Sequence, residues 1–214
     1  MYSGWWTIGS FRSAPIRLHW SVLIGALLFS GFHVEPALWL AFLLLILVHE
    51  LGHAILVKAY RLHVIEIALH GMGGHCAYSP PGTSKQSAVI AWGGVLAQAC
   101  LLAATVAATH VFGLPLFGPA YQFYYVFATV NVFVIFLNLL PFRPLDGANA
   151  WRLVPILIRQ MRTRVDAQAR VRRRREQVQE HLRVLDKAAD ESELDEEGRR
   201  LVRELIEKTT KTKR

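Results

Sequence analysis

Along the first three quarters of the chain, apolar residues fall in long unbroken runs instead of recurring at every third or fourth position, the pattern of helices solvated by lipid. A helix needs about 20 apolar residues to cross roughly 30 Å of hydrocarbon. Four segments approach that length: Ile16 to Phe32, Ala37 to Val57, Ser87 to Phe112 and Tyr121 to Leu140. The first is the shortest and carries Arg17 and His19 near its entrance, whereas no charged residue stands between Lys85 and Arg143. That first run lacks a small-residue cleavage site and is soon followed by a second, so it reads as a retained anchor and not as a signal peptide.

Leu62 to Tyr78 is apolar as well, but Gly71, Gly73 and Gly74 interrupt it and Ser79-Pro80-Pro81-Gly82 ends it. This predicts a short hairpin or re-entrant loop in place of a fifth span. Beyond Arg159 the pattern changes to helical spacing with charged faces. Val178, Leu182, Leu185 and Ala189 recur on one side, and so do Leu201, Val202, Leu205 and Ile206 after Ser192, which precedes Asp195 by three residues like a capping box. The expected fold is an all-α polytopic membrane protein with about four transmembrane helices, a small re-entrant β-hairpin or loop, and a C-terminal cytoplasmic helical hairpin. Residues 1–158 form the membrane part and residues 159–214 the charged tail.

Charge sharpens that division. Residues 1–158 hold only four acidic residues, Glu35, Glu50, Glu66 and Asp146, so each one demands a reason. The net charge of +8 sits mostly in the tail, where Arg172 to Arg175 suit anionic lipid headgroups; no nucleic-acid partner is expected. Lys and Arg flank the first span at Arg12 and Arg17, separate the second from the third at Lys58, Arg61 and Lys85, and follow the fourth at Arg143 and Arg152. The other two connections carry none, which places both termini in the cytoplasm. Cys76 and Cys100 have no paired spacing and indicate neither a disulfide framework nor a cysteine zinc site.

His49-Glu50-Leu51-Gly52-His53 is an HExxH pentad, and on a helix its four-residue spacing stacks both imidazoles on one face where they can share a metal. Neutral imidazole suits zinc, and Glu50 can take a proton from the attacking water and pass it to the leaving amine of a peptide. The pentad lies about 12 Å inside the cytoplasmic end of the second span, where a charged side chain costs on the order of 2.5 to 3.5 kcal/mol. Two histidines need a third protein ligand. Asp146, the only acid in the second half of the membrane part, follows a segment broken by Pro141 and Pro144, as a site near a buried metal requires. His70 and His75, on either side of the glycines, are alternative ligands.

HELGH on the second span and Asn138-Leu139-Leu140-Pro141-Phe142-Arg143-Pro144-Leu145-Asp146-Gly147 after the last resemble the site-two protease family of intramembrane metalloproteases. The resemblance covers roughly residues 15 to 158. It implies one Zn2+ per chain held by His49, His53 and Asp146, with Glu50 catalytic and Asn138 assisting near the reacting carbonyl. It also implies a zinc-activated water as nucleophile, a transmembrane protein as substrate, and a multi-pass location in a bacterial or archaeal-type cell membrane. A helical substrate must be unwound before its carbonyl is accessible, and a strand edge supplies partners for the freed backbone. Ile65, Ile67 and Leu69, followed by Gly71, Gly73 and Gly74, are the residues expected to form that edge. The chain departs from the family pattern at Trp92-Gly93-Gly94, Gln98 and Ala148. The rival readings are a non-catalytic membrane metalloprotein and a scaffold acting through its C-terminal tail.

Overall fold

The computed structural model describes residues 4–191 and 195–211. The chain divides into two compact units, Met1–Ile156 and Leu157–Arg214.

The first unit opens with strands β1 (Trp5–Phe11) and β2 (Ala14–His19), a short helix α1 (Ser21–Phe29) and the long helix α2 (Pro36–Ala59). Strands β3 (His63–His70) and β4 (Gly73–Ser79) then lead into α3 (Ser84–Phe112). A last apolar stretch is built from α4 (Gly118–Tyr124), a π-helical turn (Tyr125–Val130) and α5 (Asn131–Asn138), and the irregular segment after it carries the single turn α6 (Gly147–Ala150). Among the described residues, three helical stretches are long and apolar enough to cross a membrane: Pro36–Ala59, Ser84–Phe112 and Gly118–Asn138. The protein is an integral membrane protein.

Two expectations need correction here. The predicted first span is not one helix: Ile16 to His19 belong to β2, and the nine residues of α1 reach only about 13 Å. Arg17 explains the switch, because strand β2 places its guanidinium 2.9 Å from the Glu66 carboxylate on β3 and pairs both charges within the sheet. The fold is therefore not all-α. The expected β3–β4 hairpin is present, but it is half of a four-stranded sheet ordered β1-β2-β3-β4, in which β2 runs parallel to β3 and the other neighbours are antiparallel.

The sheet packs on α2 through Val64, Ile67 and Leu69, which meet Ala54 and Val57 in a fully buried cluster. Further along α2, Ala41 and Leu45 pack against Val126 and Val130 of the last span. Helices α2 and α3 approach closely where Gly52 faces Gly93. A Cβ on either glycine would overlap the other helix's backbone, so small residues set this approach as they do in membrane bundles generally.

The second unit contains most of α7 (Leu153–Glu191) and all of α8 (Glu196–Lys211). The exposed pairs Arg172–Glu176 and Lys208–Glu204 run along the helix faces, each worth only about 0.3–0.5 kcal/mol. Asp195 starts α8, its carboxylate accepting from the Gly198 amide at 2.9 Å; Ser192 lies outside the described residues. Val178, Leu182, Val202 and Ile206 are the half-buried positions, while Leu185, Leu201 and Leu205 are exposed.

Candidate metal centre

His49 and His53 lie one turn apart on the face of α2 that meets α3, with their rings edge-on at a centroid distance of 4.7 Å. Both are buried, and so is Glu50 between them. Helix α3 supports this face with a stripe at four-residue spacing, Ile90, Gly94 and Gln98. The Ile90 carbonyl accepts from His53 Nδ1 at 2.7 Å. Gly94 presents bare backbone to the His49 ring, where a Cβ would overlap it. Gln98 Oε1 accepts from His49 Nδ1 at 3.1 Å. With both Nδ1 atoms committed as donors, the lone pairs left for a metal are on Nε2 of each ring.

Asp146 reaches the same point from the segment after α5. That segment is pinned to α3 by Trp92, whose indole donates to the Ala150 carbonyl at 3.1 Å and packs edge-on against Trp151. Trp151 in turn donates to the Leu139 carbonyl at 2.7 Å, closing the turn on itself. Gly147 fits beneath the carbonyls of Leu139 and Leu140, where any side chain would collide with main chain, so the residue after Asp146 must be glycine for the turn to close this tightly.

The result is three ligand atoms around one point. Asp146 Oδ2 lies 2.8 Å from His49 Nε2 and 3.1 Å from His53 Nε2, and the two Nε2 atoms are 3.1 Å apart. Ligands bound at 2.0–2.1 Å in a tetrahedron stand roughly 3.3 Å from one another. The set needs to open by only a few tenths of an ångström to hold zinc, and its donors, two imidazoles and one carboxylate, leave a fourth position free. Among the described residues this is the one group of three or more potential ligands that converges.

The other predicted residues fall in different places. Glu50 is within electrostatic reach of His53, His49 and Asp146, and its side chain lies against Gly74 of β4, where a Cβ would press on its carboxyl. Asn138 ends α5, half-buried, and no hydrogen bond among the described residues joins it to the ligand group. His70 and His75 sit together across the β3–β4 turn, rings 6.0 Å apart, with His75 Nε2 3.9 Å from Glu66; neither joins the converging group. Burial, with the Glu50 charge behind it, pushes the Cys76 thiol up to about 12, which leaves it protonated.

The segment expected to offer a strand edge, Ile65 to Leu69, is part of an inner strand. Ile67 and Leu69 lie on an inner strand, fully buried and paired to β2 on one side and to β4 on the other. The N-terminal hairpin occupies the edge that β3 would otherwise offer, and the free edge beside Glu50 belongs to β4. Gly73 and Gly74 are on that strand, and Gly71 is in the turn before it, closely packed on Ser21 and Gly25.

No family model matches the chain. In sequence it is similar to stage IV sporulation protein FB of Bacillus subtilis (strain 168), at 31% identity over 55% of this chain and 45% of that protein, so it spans under half the length of that relative. In structure it is similar to the Site-2 Protease from Methanocaldococcus jannaschii, with a TM-score of 0.55 and 19% identity over 70% of this chain and 71% of the other. The chain has the site-two protease fold. Within that fold the two motifs that carry the family resemblance, HELGH on α2 and the Leu-Asp-Gly turn after α5, are the two that meet at the metal centre. The resemblance read from those motifs is thereby borne out.

Sequence reading missed Gln98 as a partner of His49 and missed Asn131 altogether. The available signal was the cost of burying polar side chains in apolar spans: both are fully buried amides inside the charge-free stretch, and such groups are retained when they bond.

Proposed function

We propose that this protein is an intramembrane zinc endopeptidase that cleaves transmembrane proteins near the cytoplasmic side. The observation that carries the reading is the convergence of His49 Nε2, His53 Nε2 and Asp146 Oδ2 within 3.1 Å of one another, beside the buried carboxylate of Glu50.

Zinc, when bound, supplies the Lewis acidity that acidifies a water and polarises a peptide carbonyl. His49, His53 and Asp146 hold it. Glu50 is placed to accept the proton of the attacking water and to return it to the departing amine, since it is close to the ligands without being one. The apolar walls of α2, α3 and the last span keep bulk water out and strengthen each of these electrostatic interactions. Asn138 is assigned a supporting part at the carbonyl oxygen on the strength of the family motif.

The substrate segment is assigned to the free edge of β4 instead of β3. Unwinding a helix within a membrane leaves backbone donors and acceptors that cost several kcal/mol each unless paired. An extended substrate added to β4 would pair those groups while passing the Glu50 side chain at Gly74.

The Lys and Arg flanks carry the orientation: both termini and the charged tail, residues 159–214, are assigned to the cytoplasm, with the arginines of the tail facing anionic headgroups.

Coexpression with candidate single-span proteins tests the proposal. Glu50→Gln is expected to retain zinc and folding and to lose the cleavage product, by at least the 10²- to 10⁴-fold typical of a general base. Full activity in that variant would exclude the protease reading and favour a scaffold.

A further inference from the structure

We infer that Gln98 is a positioning residue for the metal centre: its side-chain oxygen sets the tautomer and ring angle of His49, and Asn131 holds the Gln98 turn in place. The inference rests on the zinc reading of His49, His53 and Asp146.

The two histidines are oriented by different kinds of acceptor. His53 donates to a main-chain carbonyl, that of Ile90, which any residue at position 90 would supply. His49 donates to a side chain, Gln98 Oε1 at 3.1 Å. Only the second of these acceptors can be removed by substitution. The His49 ring packs on the bare backbone of Gly94, and the Gln98 contact is the hydrogen bond that holds its Nδ1 side. If Nδ1 were not held as the donor, the proton could move to Nε2, and the lone pair aimed at the metal would be lost.

Asn131 extends the line outward. It follows directly on the π-helical turn Tyr125–Val130. A π-helix places an extra residue in the turn, and one residue of an α-helix corresponds to about 100° of rotation, so an ordinary turn would aim position 131 elsewhere. As it stands, Asn131 Nδ2 donates to the Gln98 carbonyl at 2.9 Å and to the Phe127 carbonyl at 3.1 Å, joining α3 to the last span. Both amides are 0% exposed. The chain Asn131, Gln98, His49 thus links the π-helical turn to the metal ligand through consecutive hydrogen bonds.

Gln98 Nε2 makes no bond among the described residues, so Gln98→Glu removes no existing interaction while keeping an acceptor for His49. Gln98→Met keeps the length and removes the acceptor. The full-length protein, purified in detergent and stripped by chelation, would be titrated with zinc against a chelator of known affinity. Gln98→Met and Gln98→Leu are expected to bind zinc ten- to hundredfold more weakly, the usual loss for an outer partner of a ligand, and Gln98→Glu to stay close to wild type. Cobalt in place of zinc should give a d–d spectrum altered in Gln98→Met and preserved in Gln98→Glu. Wild-type zinc affinity in Gln98→Met overturns the inference, and so does an equal loss in Gln98→Glu. If the apolar variants do not fold, Gln98→Asn, which retracts the amide by one methylene, takes their place; zinc affinity in it equal to that of Gln98→Glu overturns the inference as well. A wild-type protein that binds no zinc removes the metal reading itself, whereas zinc binding that Gln98→Met leaves unchanged removes only this inference.

Discussion

Gly94 lies flat against the imidazole of His49, so that a Cβ at position 94 would overlap ring carbon and both ring nitrogens. Helix α3 thus shapes the metal centre by what it omits as well as by the acceptors it provides. Gly94→Ala is expected to turn the His49 ring and weaken zinc binding by an amount comparable to losing an outer partner, ten- to hundredfold, with an overpacking cost of about 1–3 kcal/mol in stability. Metal content and thermal unfolding in detergent measure the two effects separately. Unchanged zinc affinity would show that the ring has room that the structure denies it.

Asp146→Asn should remove more zinc affinity than any outer-shell change, beyond about a hundredfold, because it replaces a charged ligand with a neutral amide. Metal analysis of the purified variant checks this. Zinc content equal to wild type would mean that Asp146 is not a ligand.

Gly74→Ala separates the base from the ligands. A Cβ at position 74 would press on Glu50, which supplies its three nearest atoms, carboxyl carbon and oxygen among them. Cleavage should fall by up to about a hundredfold, the cost of a displacement near 1 Å at a reacting group, while bound zinc stays at the wild-type level. Zinc lost in parallel with activity would place Gly74 in support of the metal instead of Glu50.

Single cysteines in a background lacking Cys76 and Cys100 report topology. Those at positions 35 and 116 should react with an impermeant maleimide from outside the cell, and those at positions 60 and 165 only after the cytoplasmic face is opened. The inverse pattern would reverse the orientation of the active site.

Free access along β4 has its own check. Proline at His75 or Cys76 alternates which amide is removed from the strand, and the position whose amide points away from β3 should slow cleavage with zinc unchanged. Wild-type rates in both variants would show that the substrate does not pair with this edge.

Much of this protein is decided by features that lie close together in sequence. The apolar runs of α2, α3 and the last span are long enough to specify membrane helices without reference to anything else, and HELGH puts two imidazoles on one helix face, with Glu50 between them, by helical periodicity alone. The glycine breaks marked the β3–β4 hairpin for the same reason: backbone freedom is a local property. The tertiary structure decided what depends on distant partners. Ile16 to Phe32 has the composition of a span, but Arg17 finds Glu66, 49 residues away, and strand pairing takes its first four residues. That pairing also moved the free edge from β3 to β4. Gln98 meets His49 across 49 residues and Asp146 meets it across 97. Such bonds are set by where helices cross and sheets register, which a residue's neighbours in sequence do not determine.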